Sequence, residues 1–360
     1  MIEKLLRNTV KDLNQYIPGE PIEKVKEKYG VDEIIKLASN ENPLGASPKA
    51  IKAMKDMLDI SHLYPDPEAN DLRRKLAFSL GLKQDNFIIA NGADNIITLL
   101  GEGFVNKDEE VIYCSPSFPS YRTAIIKNEG IPVEVPLTPD YKYNLDGILE
   151  KINSKTKAIF ICNPNNPTGT LLDDKELDDF IKKVPENVIT VIDEAYIEFI
   201  EDKNYKDSAD YVKDNKNVVV VRTFSKIYGL AGLRVGYAIA NPEIIKSLFM
   251  VRETFAANRI AISGAVAALD DEEFLIETYN VNKEGKVYLK KEFIKMGFDV
   301  VDSQANFLYV DMMTDIDKLF EDLKKKGFVI RPSKTHVRVT IGTMEQNKKF
   351  INALKDVLNK

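Results

Sequence analysis

The sequence reads as an α/β protein: a mostly parallel sheet between helices, followed by a smaller α+β unit. Three observations predict this. Five short apolar runs, Asn86–Ala90, Val111–Cys114, Ala158–Cys162, Val188–Ile192 and Val218–Val221, alternate with helical patterns through the middle of the chain, as strands do when helices cover both faces of a sheet. Each run gives way to a segment rich in polar, glycine or aromatic residues. After Asn241-Pro242 the pattern becomes a long helical stretch to about residue 296, then short strands at Asn306–Val310, Phe328–Arg331 and Val337–Ile341, with helices at 314–326 and 344–359.

A length of 360 residues exceeds what one hydrophobic core usually organises. The boundaries expected from the pattern are 1–35 for an N-terminal arm or part of the small domain, 36–265 for the large domain and 266–360 for the small C-terminal domain. The chain shows no internal repeat, low-complexity tract or long Pro/Gly/Ser linker.

Composition narrows the function. A net charge of −6 and a pI near 5.4, with dispersed Lys and Arg, argue against a nucleic-acid footprint. The Lys-rich stretches around 284–295 and 323–326 also carry Glu or Asp and read as solvated faces. Cys114 and Cys162 each sit in an apolar run and read as reduced core thiols. No second Cys or His stands at ligand spacing for zinc. No run approaches the roughly 18 apolar residues that span a bilayer. The opening MIEKLLRNTVKDL lacks the apolar core and cleavage site of a signal peptide, so a cytoplasmic protein is expected. With only His62 and His336, a His triad or a His-based metal site is nearly excluded. Any chemistry falls to carboxylates, Lys, Tyr or a bound cofactor, and no metal is expected.

The strand ends carry the functional signal, because ligands of open α/β sheets bind beyond the carboxyl ends of the strands. The first end, Asn91-Gly92-Ala93-Asp94, opens a helix, and exposed amides there suit an anion; a plain Asp94 cap is the competing reading. Neither a dinucleotide fingerprint nor a P-loop occurs. The second is Ser115-Pro116-Ser117-Phe118, and the third Asn163-Pro164-Asn165-Asn166-Pro167-Thr168-Gly169. The fourth begins with Asp193, an acid at the sheet's mouth that needs a metal or a protonated ring nitrogen unless it merely caps a turn; Tyr196 follows three residues on. The fifth is Arg222-Thr223-Phe224-Ser225-Lys226, with Arg234 eight residues later. Burial and neighbouring cations would lower the Lys226 pKa and free its amine as a nucleophile toward carbonyls.

Asn166-Pro167-Thr168-Gly169, Asp193-x-x-Tyr196 and Ser225-Lys226 with Arg234 at plus eight resemble the class I/II aminotransferases of the aspartate aminotransferase fold type. The resemblance runs over essentially the whole chain. Within that superfamily, Tyr16-Ile-Pro18-Gly19, Leu37-Ala-Ser-Asn40-Glu41-Asn42-Pro43-Leu-Gly45, Tyr64-Pro65-Asp66 and Arg338-Val-Thr-Ile-Gly342-Thr343 are most similar to the histidinol-phosphate aminotransferases. The resemblance implies fold type I, with a mostly parallel seven-stranded sheet and a smaller α+β domain. It also implies pyridoxal 5′-phosphate as cofactor and amino transfer between histidinol phosphate and 2-oxoglutarate, with glutamate as the counterpart donor, in histidine biosynthesis.

Roles follow by resemblance. Lys226 would hold the cofactor as a Schiff base and then serve as acid and base. Asp193 would pair with the pyridinium nitrogen, Asn166 and Tyr196 would hold the ring's phenolic oxygen, and Phe118 would stack on its face. Gly92, Ala93, Asp94, Thr223, Ser225 and Arg234 would lie at or near the phosphate. Tyr64 would reach the neighbouring subunit's cofactor, which implies a homodimer. Arg338 would bind the substrate's carboxylate or phosphate, Arg331 would be a second phosphate contact, and Tyr16, Asn40 and Asn166 would line the rest of the substrate pocket.

Two segments depart from the family pattern. The stretch Pro332-Ser-Lys-Thr-His336-Val is shorter than the Gly-containing loop of many relatives, and His336 reads as part of an exposed turn, with lining of the pocket as the competing reading. Thr254-Phe255-Ala256-Ala257-Asn258-Arg259 is less Asn-rich than usual, and Arg259 adds a cation of unassigned purpose. The alternatives on the same scaffold are an aromatic amino-acid aminotransferase and a phospho-amino-acid decarboxylase. A non-catalytic cofactor-binding regulator is disfavoured, since no basic helix-turn-helix precedes Tyr16.

Overall fold

The computed structural model describes residues 5–11, 13, 22–203, 205–214, 217–333 and 335–359. Its strands are β1 (Ile35–Lys36), β2 (Phe87–Ala90), β3 (Glu110–Ser115), β4 (Ile131–Pro136), β5 (Thr156–Cys162), β6 (Ile189–Asp193), β7 (Val218–Thr223), β8 (Gly236–Ile239), β9 (Asp299–Val301), β10 (Phe307–Asp311), β11 (Phe328–Val329), β12 (Arg331–Ser333) and β13 (His336–Thr340). Seven of them form the main sheet in the order β2-β8-β7-β6-β5-β3-β4. The pairings β7–β6, β6–β5, β5–β3 and β3–β4 are parallel, and β8 alone runs against its neighbours. The expected mostly parallel seven-stranded sheet is therefore present.

The central strands are apolar at nearly every position because both faces are covered. Every residue of β6 and β7 is buried. The crossover helices start where the sequence supplies caps. Asp173, for example, accepts from the amides of Lys175 and Glu176 at the head of helix Asp174–Lys183, a cap worth about 1 kcal/mol. All five parallel strands, with β2, point their carboxyl ends to one edge of the sheet.

A second sheet, β12-β13-β10-β9, is antiparallel. It packs against helices Ile316–Lys325 and Met344–Leu358 around Leu308, Val310, Leu319, Leu323, Val337, Val339, Phe350 and Leu354. β1 pairs in parallel with β11 alongside this core. We propose that the two apolar cores correspond to two domains.

Several elements differ from the sequence-based expectation. β4 was hidden because it is an edge strand with two prolines and mostly exposed or half-buried positions, the place where a sheet tolerates proline. β8 is only four residues long and follows the glycine-rich Lys226–Arg234 segment. The helical stretch to residue 296 is three helices, Pro242–Val251, Arg259–Ala268 and Glu272–Lys295. Asn241 and Asn258 cap the first two through their side chains. The run Phe328–Arg331 divides between two sheets at Ile330. Two lysines expected on solvated faces are buried. Lys286 lies 2.8 Å from Glu201 and donates to the Ser303 carbonyl at 2.9 Å. Lys324 pairs with Glu321 and sits over the Phe320 ring. Both cysteines are free and buried. Among the described residues, no helix is long and apolar enough to cross a membrane, and no cluster of His, Cys, Asp or Glu could hold a metal ion.

Candidate active site

At the carboxyl edge of the main sheet, against β12 and β13, lies a cavity of about 270 Å³. Its wall includes Ala93, Asp94, Phe118, Asn166, Asp193, Tyr196, Thr223, Ser225, Lys226 and Arg234 from the strand ends, with Asn40, Arg331 and Arg338 facing them. Five separate strand ends thus converge as the pattern expected.

Lys226 follows β7 at the floor of this cavity. Its Nζ donates to the Ser39 carbonyl at 3.3 Å and lies 5.6 Å from the centre of the Tyr196 ring. Burial lowers its pKa to about 8, and the guanidinium groups of Arg338 and Arg234 add to the effect; each disfavours the ammonium form. A fraction of the amine is therefore neutral near pH 7, as a nucleophile or proton acceptor requires.

Asp193 ends β6 and is buried. Tyr121 donates its hydroxyl to Oδ2 at 2.8 Å, and the Ala195 amide donates to Oδ1 at 3.1 Å. No cation pairs with it in these contacts, and burial raises its pKa to about 6. A carboxylate in this setting fits a positively charged ligand group, which would restore the ionised form. Tyr121 was not singled out from the sequence. It is fully buried, stacks on Phe160 with ring centroids 4.9 Å apart and meets Phe118 edge to face at 5.8 Å. An aromatic residue early in helix Ser120–Lys127 gives no sequence signal of this contact.

An anion cradle lies at the head of helix Ala93–Phe104. Gly92, not Asp94, occupies the cap position, with φ +83°. The positive φ is what favours glycine here, and without a Cβ the Arg234 guanidinium can sit close against the backbone. Arg234 also contacts Ser225 Oγ at 3.4 Å and Asp94 Oδ2 at 3.5 Å. Thr223 donates its hydroxyl to Ser225 Oγ at 2.9 Å. A helix N-terminus, two hydroxyls and an arginine make up a phosphate-sized donor set.

The opposite wall joins the two sheets. Arg338 donates from Nη1 to Asn166 Oδ1 at 2.6 Å and from Nη2 to the Ala38 carbonyl at 2.6 Å. Asn40, held with φ +56°, donates from Nδ2 to the Tyr196 hydroxyl at 2.9 Å. Its Oδ1 accepts from Thr340 Oγ1 at 3.0 Å, and its amide donates to the same hydroxyl at 2.9 Å. Arg331 stands opposite Arg338 in the β12–β13 register, so both arginines face one cavity.

One expected site residue lies elsewhere. Tyr64 is 76 % exposed and stacks on Phe255 at 4.4 Å. Arg259 donates to the Tyr64 carbonyl, which gives this cation a local role. Tyr16 lies outside the described residues. His336 is buried at the start of β13 rather than in an exposed turn, because the short segment closes as a tight β-hairpin.

The model of the family described as aminotransferase class I and II matches residues 32–354. The chain is 44% identical to the histidinol-phosphate aminotransferase of Moorella thermoacetica over 98% of its own length and 92% of that protein's. It is 43% identical to the one of Caldicellulosiruptor saccharolyticus, over 98% of this chain and 100% of that one. Among solved structures, histidinol-phosphate aminotransferase from Sinorhizobium meliloti in complex with pyridoxal-5′-phosphate superposes with a TM-score of 0.90. That match has 25% identity and covers 98% of this chain and 97% of the other.

Proposed function

This chain belongs to the class I and II aminotransferases, and from that premise we propose that it exchanges an amino group between histidinol phosphate and 2-oxoglutarate, with pyridoxal 5′-phosphate as cofactor. The observation that carries the reading is the pairing, across one cavity, of a half-buried lysine with pKa about 8 and a buried carboxylate that, among the described residues, is hydrogen-bonded by a tyrosine and a backbone amide.

The residues fit the cofactor at both of its ends. Gly92, Ala93, Thr223, Ser225 and Arg234 would hold its phosphate, and Asp193, supported by Tyr121, would keep the ring nitrogen protonated. Phe118 would cover the ring face, with Asn166 and Tyr196 at the phenolic oxygen. When bound, the cofactor supplies an electron sink for the pair left at the substrate's amine-bearing carbon.

Lys226 anchors the cofactor, and its freed amine then takes the proton from the substrate's amine-bearing carbon. With a pKa near neutrality it can both accept and return that proton. Arg338 binds the anionic end of either substrate, the carboxylate of glutamate or the phosphate of histidinol phosphate, and Arg331 adds a second phosphate contact. Asn40 orients the Tyr196 hydroxyl. A homodimer is part of the reading. Tyr64, with Leu63 and Phe255 beside it, exposes apolar surface that a second copy would cover, and Tyr64 would then reach that copy's cofactor. A cytoplasmic setting accords with biosynthesis from soluble metabolites.

The test follows the visible absorbance of the cofactor-loaded protein. Glutamate alone and histidinol phosphate alone should each shift the band in a half-reaction, with no carbon dioxide released. A band that responds to neither amine, or release of carbon dioxide from a phospho-amino acid, would reject amino transfer for this site.

A further inference from the structure

The β12–β13 hairpin carries Arg331 and Arg338, two of the three arginines that line the cavity, and its tip makes a contact of its own to the far side of the cleft. Along β13, Val337 and Val339 point into the smaller core, so His336, Arg338 and Thr340 share the opposite face by strand alternation. Each reaches across. Thr340 bonds Asn40, Arg338 bonds Asn166, and His336 Nε2 lies 3.1 Å from the Tyr141 hydroxyl.

Tyr141 sits in the turn after β4, held with φ +64°. Its carbonyl accepts from Thr170 Oγ1 at 2.7 Å and from Thr168 Oγ1 at 3.3 Å. Thr168 in turn accepts from Asn165 Nδ2 at 2.8 Å, so Tyr141 braces the loop that carries Asn166. One residue therefore ties that loop through its backbone and the Arg338 strand through its side chain. The imidazole is fixed on its other sides too. It lies flat on Tyr309 with centroids 4.4 Å apart and 11° between planes, and its Nδ1 is 2.8 Å from Thr335 Oγ1. Burial lowers its pKa, so the ring is neutral at pH 7 and offers one donor and one acceptor to two hydroxyls that can each take either part.

We propose that Tyr141 and His336 are positioning residues that clamp the hairpin tip to the Asn166 loop and thereby set where Arg331 and Arg338 present their guanidinium groups to the substrate anion. Neither residue touches the reacting atoms. The inference rests on the reading of Arg338 as the anion-binding residue.

Tyr141→Phe and His336→Phe keep an aromatic ring at each position and remove the hydrogen bond between them, His336→Phe removing the Thr335 contact as well, and the experiment compares them singly and together in the cofactor-loaded enzyme. Each should raise KM for histidinol phosphate about 3- to 10-fold, the size expected for one lost hydrogen bond. The change in kcat should stay within about twofold, because the contact acts on binding and not on the chemical step. The double variant should be no worse than the worse single one, since both remove the same contact. Hydrogen exchange of the backbone amides of 331–338 should quicken in all three. Unchanged KM, additive effects, or a KM rise accompanied by loss of kcat and of cofactor would each overturn the clamp. Arg338→Ala, run beside them, separates the two ideas. If it raises KM and Tyr141→Phe does not, the clamp alone fails; if Arg338→Ala leaves KM unchanged, the anion reading fails and the clamp with it.

Discussion

The carboxyl edge of the main sheet and the β12–β13 hairpin face each other across one cavity, yet they are built differently. The sheet edge presents its chemistry from strand ends at which Asp193 and Thr223 are buried, with Lys226 half-buried behind them. The pKa values of Lys226 and Asp193 move accordingly. The hairpin is three residues on one side and five on the other, with Arg331 only half-buried. It depends on contacts to other segments for its position. On the proposed reading, proton transfer resides on the sheet edge and recognition of the substrate's anion on the hairpin.

The largest effect that can break this division is Lys226→Ala. Loss of the acid–base amine should lower kcat by at least ~10²- to 10⁴-fold, while the phosphate cradle still retains cofactor after gel filtration. Appreciable residual turnover would remove the sheet edge's claim to the chemistry. On the hairpin, Arg338→Ala should cost less. A charge-assisted contact of roughly 1.5–3 kcal/mol corresponds to about 10- to 150-fold in kcat/KM, for glutamate and histidinol phosphate alike. A loss confined to histidinol phosphate would show that the two substrates do not share this arginine.

The smallest effect sharpens the electrostatic link between the two regions. In cofactor-free protein the rate of cofactor attachment should rise through an inflection near pH 8, the value of Lys226. Arg338→Ala should move that inflection upward, because the Arg338 guanidinium disfavours the ammonium form of Lys226. The stability consequence has a definite sign. The folded pKa lies below the unfolded value of about 10.5, so the unfolded chain binds more protons between about 8 and 10.5. This group's burial penalty is fully present below pH 8 and is relieved as pH rises through that window. An inflection at the ordinary lysine value would contradict the burial argument.

The same contrast governs how much was legible in the sequence. The strand-end residues could be read because parallel strands send their carboxyl ends to one edge, so each apolar run marks where its polar successor will sit. Lys226, Asp193 and Asn166 followed from that rule, with their roles supplied by family resemblance. Tyr121 could not be read, since its contact with Asp193 joins residues 72 positions apart and its own neighbourhood looks like ordinary helix. The Tyr141–His336 contact spans 195 positions, and the short 332–337 segment offered a turn as readily as a strand. Phe328–Arg331 looked like one strand because apolar content cannot reveal that a chain changes sheets. Tyr64 enters only through the proposed homodimer, in which the cofactor it would touch belongs to the second copy.

Comparison of kcat/KM for histidinol phosphate and for phenylalanine, each with 2-oxoglutarate and the same preparation of enzyme, tests the central claim most directly. Two arginines aimed into one cavity predict the higher value for histidinol phosphate, by at least about tenfold for one charge-assisted contact. A higher value for phenylalanine would contradict the account, leaving the lysine's chemistry in place and the hairpin's specificity misread.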